Sequence, residues 1–422
     1  VQVSLKRGLK FRPGEGGLCR MTAIFGAPTA NTLQLAGLGN IESGNYFGYQ
    51  GTNFGIVHER GGAQEIRRLE ITGGVVRSTK VTITLNSEIA THSIAGGGSV
   101  MQTAHEISKK SFENIGWIAE AHSSSVYFVS LRTQPLTGAY SASGVNLTSS
   151  FTQHIAGQAS TQTFITQSAW NFDTFDGNGP SSVILNKQMG NIYQVGFQYL
   201  GYGNTLFAIE NPNTGLFTSC HMIKHANTRT VTILKNPYTA ARWVVNNTGS
   251  TISTSLSGAS AVTFTEGIVN HNIGLAFAVT ASAAGITTEM PILTVRANRI
   301  FNGEVCYGEI EINSITGGVT IAGAPSRTAI INVYKNVALS GPVNFTDVDK
   351  NRSITSYDVS ATSFSKAPGI LLTSFQLAAG TALINDTVNK AFFLMNGETL
   401  TISAKAADAA NVDVSISWFE DQ

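Results

Sequence analysis

The sequence predicts a mainly β protein made of antiparallel, jelly-roll-like β-sandwich domains, with one small α+β module inserted among them. Charged residues make up only 13% of the 422 residues, which is about half the usual share. Glycine occurs 43 times, and this composition favours strands and tight turns over exposed, charged helices. In the C-terminal part, short runs of alternating apolar and polar residues recur about every ten residues, as the strands of a sandwich do.

Residues 1–75 are predicted to form an extended N-terminal assembly segment. Short candidate strands at Val1–Leu5, Asn53–His58 and Glu65–Ile71 are separated by glycine-rich loops. Several aromatic side chains have no evident partner within the segment, so we expect a neighbouring copy to cover them. These aromatic residues are Phe11, Phe25, Tyr46, Phe47, Tyr49 and Phe54.

Residues 76–135 are predicted to form a small module with the order strand, strand, helix, strand, strand. Ser99 and Gln102 match a capping box ahead of apolar residues at helical spacing, which predicts a helix over 99–110 with His105 on or near its polar face. The four predicted strands are Val81–Leu85, Glu88–Ile94, Ile115–Ala121 and Val126–Leu131.

Residues 136–300 are predicted to form a central β-sandwich. Its clearest strands are Ile192–Tyr199 and Thr205–Ile209, each bounded by turn residues. Thr137–Gln167 is a Ser/Thr/Gly-rich passage that leads into the sandwich, and Thr248–Ala261 is predicted to be a loop. Large aromatic residues are expected to anchor the core. These are Trp170, Phe172, Tyr193, Phe197, Tyr199, Phe207, Phe217 and Trp243.

Residues 301–422 are predicted to form a C-terminal β-sandwich region. Asn302-Gly303 is a strong two-residue hairpin signal, and Asn396-Gly397 marks a second turn. The strands predicted around and between these turns are Gly274–Thr280, Pro291–Phe301, Glu304–Ile312, Ala329–Tyr334, Ile354–Val359, Gly369–Leu377, Ala391–Met395, Leu400–Ala404 and Val412–Trp418.

Six motifs stand out in the last two-thirds of the chain: Trp170–Ser181, Gly190–Gln194, Tyr199–Gly203, His225–Asn227, Ser356–Thr362 and Val414–Glu420. Together they resemble a virion structural protein family of tailed bacteriophages and some large algal viruses. The resemblance implies an externally displayed component of a particle or tail, built for assembly and sometimes for host contact. It implies no reaction, and no functional residue is transferred from the family.

Composition and charge argue against several classes of function. A net charge of +1 provides no concentrated basic face for nucleic acid. The one basic cluster is Lys6, Arg7, Lys10 and Arg12, for which a solvated tail or a subunit contact is favoured over DNA binding. No apolar run reaches the length of a membrane span. Three widely spaced cysteines predict no disulfide framework.

No catalytic motif is present, so we expect a protein that is not an enzyme. Asp173 and Asp176 could be the carboxylates of a glycosidase, but turn residues are the favoured interpretation. Cys220, His221 and His225 could suggest a metal site. Positions four apart on a strand, however, lie about 13 Å from each other, beyond the reach of one ion.

The most specific candidate site is a possible calcium loop formed by Asp347, Asp349, Asn351 and Asp358. Alternating oxygen side chains with a carboxylate at the twelfth position match the ligands that Ca²⁺ prefers. Arg352 stands where such loops have glycine, and the flanking residues predict strands instead of helices. The alternative is a turn in which Asp and Asn side chains accept hydrogen bonds from their own backbone.

These observations lead to three hypotheses of function. The first is a virion structural protein of a tail, fibre or surface, working as a homo-oligomer, most simply a trimer, together with other virion proteins. The second is a lectin-like receptor-binding fibre or spike that contacts host surface polysaccharide through loops between strands. The third, and the least supported, is a polysaccharide depolymerase, because no pair of carboxylates in a cleft is visible in the sequence.

Overall fold

A computed structural model of the chain confirms the mainly β fold. It describes residues 1–5, 8–9, 15–198, 200–266, 274–321, 328–378, 380, 382–386 and 392–421. The chain divides into two compact units. Unit 1 comprises Val1–Gln64, Arg132–Pro135 and Gly157–Val269, and unit 2 comprises Glu65–Leu131, Leu136–Ala156 and Asn270–Gln422.

Nineteen strands and one helix precede residue 270 in the described residues. The strands are β1 (Gln2–Ser4), β2 (Gly16–Phe25), β3 (Thr32–Gly39), β4 (Gly44–Gln50), β5 (Asn53–Arg60), β6 (Ile66–Gly73), β7 (Thr79–Leu85), β8 (Glu88–Ile94), β9 (Trp117–His122), β10 (Ser125–Ser130), β11 (Ser141–Gly144), β12 (Thr148–Ile155), β13 (Thr161–Thr166), β14 (Asn191–Gln198), β15 (Thr205–Glu210), β16 (Phe217–Ile223), β17 (Ala240–Asn247), β18 (Leu256–Ser257) and β19 (Ala261–Thr265). The helix is α1 (Val100–Ser108), and short 3₁₀ turns lie at Glu113–Ile115 and Gln167–Ala169.

The C-terminal part of unit 2 contains strands only among its described residues. They are β20 (Leu275–Ile286), β21 (Met290–Ala297), β22 (Ile300–Phe301), β23 (Glu304–Val305), β24 (Glu309–Ile321), β25 (Thr328–Lys335), β26 (Ala338–Ser340), β27 (Thr346–Asp347), β28 (Thr355–Asp358), β29 (Ser363–Ser365), β30 (Ile370–Ala378), β31 (Ala382–Asp386), β32 (Phe393–Leu394), β33 (Thr399–Ala406) and β34 (Ala410–Asp421).

Unit 1 is an antiparallel β-sandwich whose two sheets share one aromatic core. One sheet has the order β1-β17-β3-β4-β5-β13, and the other has the order β16-β15-β14-β2 with β18 and β19 both paired to β2. Phe47 packs between the sheets, with its ring centroid 4.9 Å from that of Tyr193 and 5.3 Å from that of Phe207. Large aromatic side chains at such distances contribute strongly to core stability.

The prediction of an extended segment over residues 1–75 is wrong. Strands β2 to β5 supply both sheets of unit 1, and β6 belongs to unit 2. Phe25, Tyr46 and Phe47 are fully buried within their own chain. Strands β3, β4 and β5 pair with one another in sequence order. The sequence argument failed because the other partners of this segment lie far along the chain, such as β14 for β2 and β17 for β3.

The small module of unit 2 extends beyond the predicted residues 76–135. It contains a sheet with the order β12-β6-β10-β9, a second sheet with the order β11-β7-β8, and α1. All three share one apolar core that includes Trp117, Phe112 and Phe128. The Ser/Thr/Gly-rich passage Thr137–Gln167 therefore supplies two strands of this module, β11 and β12, and one strand of unit 1, β13.

The predicted helix is confirmed as α1, but the expected position of His105 is wrong. His105 is 9% exposed, and burial is the main cause that lowers its pKa, to about 3. Ser99 occupies the N-cap position with φ −80° and ψ 136°, yet its hydroxyl makes no capping hydrogen bond. Instead, the Thr103 hydroxyl donates to the Ser99 carbonyl oxygen at 3.0 Å and accepts the Val75 N–H at 3.0 Å.

The rest of unit 2 is a second β-sandwich that begins before residue 301, where the sequence placed its boundary. One sheet has the order β20-β34-β24-β31, with β32 also paired to β24. The other has the order β27-β28-β21-β33-β25-β30. The predicted boundary of the central domain, residues 136–300, encloses β20 and β21, but these strands pair with β34 and β33 at the far end of the sequence. Trp418 is fully buried in the shared core.

Both predicted Asn-Gly turns are confirmed. Asn302 and Gly303 join β22 to β23 with φ values of 50° and 81°, the left-handed conformation that Asn and Gly tolerate. Gly397 has a φ of 83°, and Glu398 N–H donates to the Met395 carbonyl oxygen at 2.8 Å.

Some predicted features lie outside the described residues. They are the basic cluster Lys6, Arg7, Lys10 and Arg12, and the aromatic residues Phe11 and Tyr199. Within the described ranges, no helix has the length and apolar character needed to cross a membrane.

Candidate ligand-binding cleft

Two turns and one longer segment of unit 2 line an open cleft with a volume of about 670 Å³. The first turn, Ser123-Ser124, connects β9 to β10, and the second is Asn302-Gly303. The third element is the segment from Asn344 to Lys350 around β27. Loops held by a rigid sheet scaffold are common positions for binding residues.

His122 lies between two carboxylates at one side of the cleft. Its Nε2 is 2.7 Å from Glu120 Oε1, and its Nδ1 is 3.7 Å from Asp347 Oδ1. Burial opposes protonation of His122, but its contacts with Asp347 and Glu120 outweigh burial and raise the pKa of the imidazole. Because a carboxylate only accepts hydrogen bonds, Nε2 carries a proton in both charge states of the ring.

The buried Arg296 and the backbone N–H of Arg299 hold Glu120 in place. The Arg299 N–H donates to both oxygens of Glu120, at 2.9 and 3.0 Å. Arg296 is 7% exposed and donates through Nη2 to the Ala121 carbonyl oxygen at 2.9 Å. Burial alone would raise the pKa of Glu120, but the charge of Arg296 and the hydrogen bond from His122 lower it to about 2. Glu120 is therefore an anion throughout the physiological pH range.

Several polar groups that line the cleft have no hydrogen-bond partner in the described part of the chain. They are the Tyr127 hydroxyl, the Asn344 side-chain amide, the Lys350 ammonium and Asp347 Oδ2. Tyr127 is half-buried, and its ring contacts the rings of His122 and His154, with centroids 5.5 Å away in both cases. The cleft therefore combines the aromatic ring of Tyr127 with hydrogen-bond donors and one carboxylate oxygen that have no partner among the described residues.

The four residues of the predicted calcium loop are not brought together around one point. Asp358 is 2% exposed, and its oxygens accept N–H groups of Asn344 at 2.7 Å and Ala361 at 3.0 Å. Asp349 Oδ1 accepts the Asn351 N–H at 2.9 Å, which is the alternative turn geometry. The described residues contain no group of three or more His, Cys, Asp and Glu side chains arranged to hold a metal ion.

Two hydroxyls of the same loop also point away from a common centre. The Ser353 and Thr355 hydroxyls each donate to Glu420 Oε1 at 2.6 Å. Glu420, on β34, is 1% exposed and also accepts the Ile354 N–H at 2.8 Å. The loop is therefore attached to the sandwich through a buried carboxylate.

The aspartates considered as a glycosidase pair are turn residues, as favoured from sequence. Asp173 is buried, and its two oxygens accept N–H groups of Phe175 at 2.8 Å and Ser181 at 2.7 Å. Asp176 is exposed and accepts the Asn178 N–H at 2.9 Å.

The Cys220, His221 and His225 side chains also have separate surroundings in unit 1. The Cys220 thiol donates to the Phe207 carbonyl oxygen at 3.3 Å, and burial raises its pKa well above the ordinary value. His221 Nδ1 accepts the Asn171 N–H at 3.2 Å. His225 packs against His58, with ring centroids 5.5 Å apart.

Sequence reasoning found Asp347 but missed Glu120, His122 and Tyr127. The sequence His122-Ser123-Ser124-Ser125 carries a local sign of a turn, and a histidine next to a turn is a reasonable candidate for function. Nothing local connects it with Asp347, because the two residues come from segments that are far apart in the chain.

No protein-family model matches the chain, and no curated protein matches it. Among solved structures, the chain is similar over 98% of its length to a structure of the infectious bursal disease virus Gt strain, with 8% identity, 75% coverage of that chain and a TM-score of 0.16. T=1 particles derived from infectious bursal virus give 7% identity, 80% coverage and a TM-score of 0.13. The VP2 subviral particle of infectious bursal disease virus gives 8% identity, 83% coverage of that chain and a TM-score of 0.14. Likenesses at this level carry no argument about fold or function.

Proposed function

We propose that this chain is a non-enzymatic structural component of a virion, in a tail, fibre or surface position, that works through assembly with copies of itself and with other virion proteins. The resemblance of residues 170–181, 356–362 and 414–420 to a virion structural family motivates the proposal. Two β-sandwiches with few charged side chains suit close packing of identical copies, because charge repulsion between them is small.

An apolar face on unit 1 that is exposed among the described residues supports assembly most directly. Ile24 on β2 and Val262 and Phe264 on β19 point outward from neighbouring strands and are 42–43% exposed. The Arg20 guanidinium lies on the same face, 4.5 Å from the Phe217 ring centroid. Exposed apolar side chains grouped around an arginine are typical of protein interfaces. We propose that a second copy of the chain covers this face, in a closed homo-oligomer such as a trimer.

Light scattering of the purified chain tests the assembly. We expect an oligomer, and we expect Phe264→Glu to lower its mass because a charge would be buried in the interface. Ile89→Glu is the matched control, since Ile89 is also an exposed apolar strand residue but lies in unit 2. A monomeric parent chain, or an oligomer that Phe264→Glu leaves unchanged, would contradict this interface. Absence of the chain from purified particles by mass spectrometry would contradict the virion role.

Receptor contact is the second candidate function, and the cleft of unit 2 favours it. Its free polar groups and half-buried aromatic ring form a surface suited to a small polar ligand such as a host glycan unit. The purified chain should then compete with particles for host cells and reduce adsorption. Undiminished adsorption at saturating protein would argue against this role while leaving the structural role intact.

A further inference from the structure

We infer that the cleft of unit 2 binds a neutral sugar ring, with the Tyr127 side chain against one face of the ring and Asp347 and Asn344 bound to its hydroxyls. This inference rests on the receptor-contact role proposed above. It adds the class of ligand and the residues that recognise it.

The position of Tyr127 provides the surface for the ring. The residue lies on β10 with its side chain half-buried, and the contacts with His122 and His154 fix the orientation of its ring. Phe301, also half-buried, contributes a second aromatic side chain to the lining. The C–H groups on the face of a sugar ring pack well on aromatic rings, whereas its hydroxyls project from the edge.

The free polar groups of the cleft match the hydroxyls of a sugar. A hydroxyl both donates and accepts, so its recognition requires acceptors and donors side by side. Asp347 Oδ2 is an acceptor without a partner in the described residues, while the Asn344 amide and the Lys350 ammonium supply donors. Asp347 stays ionised because its contact with His122 is the largest of the causes that lower its pKa. An ionised acceptor forms the stronger class of hydrogen bond.

The balance of charge favours a neutral ligand over an anion. Each cation in the cleft has an acidic neighbour. Arg68 Nη2 lies 3.6 Å from Glu70 Oε1, and His122 lies between Glu120 and Asp347. Lys350 interacts with the charge of Asp347. Each cation that lines the cleft therefore has a carboxylate nearby, which weakens the attraction of the cleft for a carboxylate, sulfate or phosphate group.

Titration of the full-length chain with methyl glycosides of glucose, galactose, mannose and N-acetylglucosamine, and with their trimers, tests the inference. Calorimetry and saturation-transfer NMR should detect binding of at least one of these neutral sugars. Sialyllactose, a heparin tetrasaccharide and inorganic phosphate are the anionic comparisons, and we expect weaker or no binding of these. Binding of the anionic probes alone would overturn the assignment of ligand class.

Variants locate the site. Asp347→Asn should weaken binding about tenfold or more, because a hydrogen bond to a charged acceptor is lost. Asp349→Asn is the matched control, since Asp349 is in the same loop but does not line the cleft, and its affinity should equal that of the parent chain. Tyr127→Ala should weaken binding about fivefold, and Tyr127→Phe, which keeps the ring, should lose less.

Two further controls separate the possible causes of failure. If Asp347→Asn does not fold by circular dichroism, the exposed Lys350→Met and the half-buried Asn344→Ala replace it and should each reduce affinity. Equal affinity of the parent chain and the cleft variants for a sugar would overturn the assignment of the site. The absence of binding to any of the neutral sugars would overturn it as well. Failure of the receptor role would be seen in a different experiment. The purified chain would bind sugar but would leave the adsorption of particles to host cells undiminished.

Discussion

At the scale of single residues, Glu120 is a buried carboxylate whose removal should strongly destabilise the protein. Its carboxylate is 4% exposed and accepts the Arg299 N–H, while the charge of buried Arg296 favours its ionised form. Removing one partner of a buried charged pair leaves the other without compensation. We therefore expect Glu120→Ala to lower the free energy of unfolding by about 3–5 kcal/mol, measured by urea denaturation.

The control for this prediction is Glu113→Ala, because Glu113 is exposed in the same module. A change within about 0.5 kcal/mol is expected there. Equal effects of the two substitutions would mean that the contacts of Glu120 contribute little to stability.

A buried histidine pair in unit 1 should make that unit sensitive to acid. His58 is 5% exposed, and its Nδ1 lies 2.8 Å from Asn45 Oδ1. Burial, followed by the charges of His225, Arg60 and Arg229, lowers the pKa of His58 to about 4. Burial also lowers the pKa of His225. Protonation of either ring would place a cation beside other cations in a buried position.

The lowered pKa of His58 determines the direction of the pH effect. Between pH 6.5 and about 4, the unfolded chain binds more protons at this residue than the folded chain, so stability falls as pH falls through this window. His58 contributes about 3 kcal/mol to the free energy of unfolding. This contribution is fully present above pH 6.5 and is lost as the pH falls to about 4. Urea denaturation at several pH values should show a smaller acid-induced loss in His58→Gln than in the parent chain. Parallel pH profiles for the two proteins would contradict the prediction.

At the scale of elements, the start of α1 depends on Thr103 more than on Ser99. The Ser99 hydroxyl makes no capping bond, so Ser99→Ala should cost well under the ~1 kcal/mol of a formed N-cap. Thr103→Val would leave the buried Val75 N–H without its acceptor, at a cost of about 1–3 kcal/mol. Thermal unfolding of the two variants shows which substitution lowers stability more, and we expect it to be Thr103→Val. A larger loss for Ser99→Ala would contradict this account of the helix start.

The loop from Asp347 to Asp358 should owe its stability to hydrogen bonds within the protein. Asp358→Ala would leave the N–H groups of Asn344 and Ala361 without acceptors, so we expect a loss of about 1–3 kcal/mol. Asp349→Ala, which removes one exposed turn hydrogen bond, should cost less. The melting temperatures of the parent chain and of both variants should not depend on added calcium or on a chelator. A chelator-sensitive melting temperature that Asp349→Ala abolishes would instead establish the calcium loop.

At the scale of the whole molecule, residues 1–75 are part of the folded body of the protein. Strands β2 to β5 complete unit 1, and β6 is an inner strand of a sheet in unit 2. Deleting residues 1–75 should therefore abolish cooperative unfolding and greatly reduce the β-sheet circular dichroism signal. Deleting residues 1–5, which removes only the edge strand β1, should preserve both. Retention of the signal without residues 1–75 would show that the remaining strands form the sandwiches alone.

The sequence by itself determined the features that depend on neighbouring residues. Alternation over 81–85 predicted β7, helical spacing after Ser99 predicted α1, and Asn302-Gly303 predicted a hairpin. The aspartates at 173 and 176 were correctly interpreted as turn residues, because Asp side chains accept hydrogen bonds from N–H groups two residues further on. In each case the physical cause acts within a few residues of the chain.

Only the tertiary structure decided which strands share a core and which side chains form the cleft. Phe47 looked uncovered in sequence because its partners Tyr193 and Phe207 are supplied by strands far along the chain. Likewise, His122 comes from β9 and Asp347 from β27, which belong to different sheets of unit 2, and no local pattern records their contact. Burial and charge pairing depend on the distances between side chains in the folded protein. Those distances are set only when strands from remote parts of the chain pair with each other.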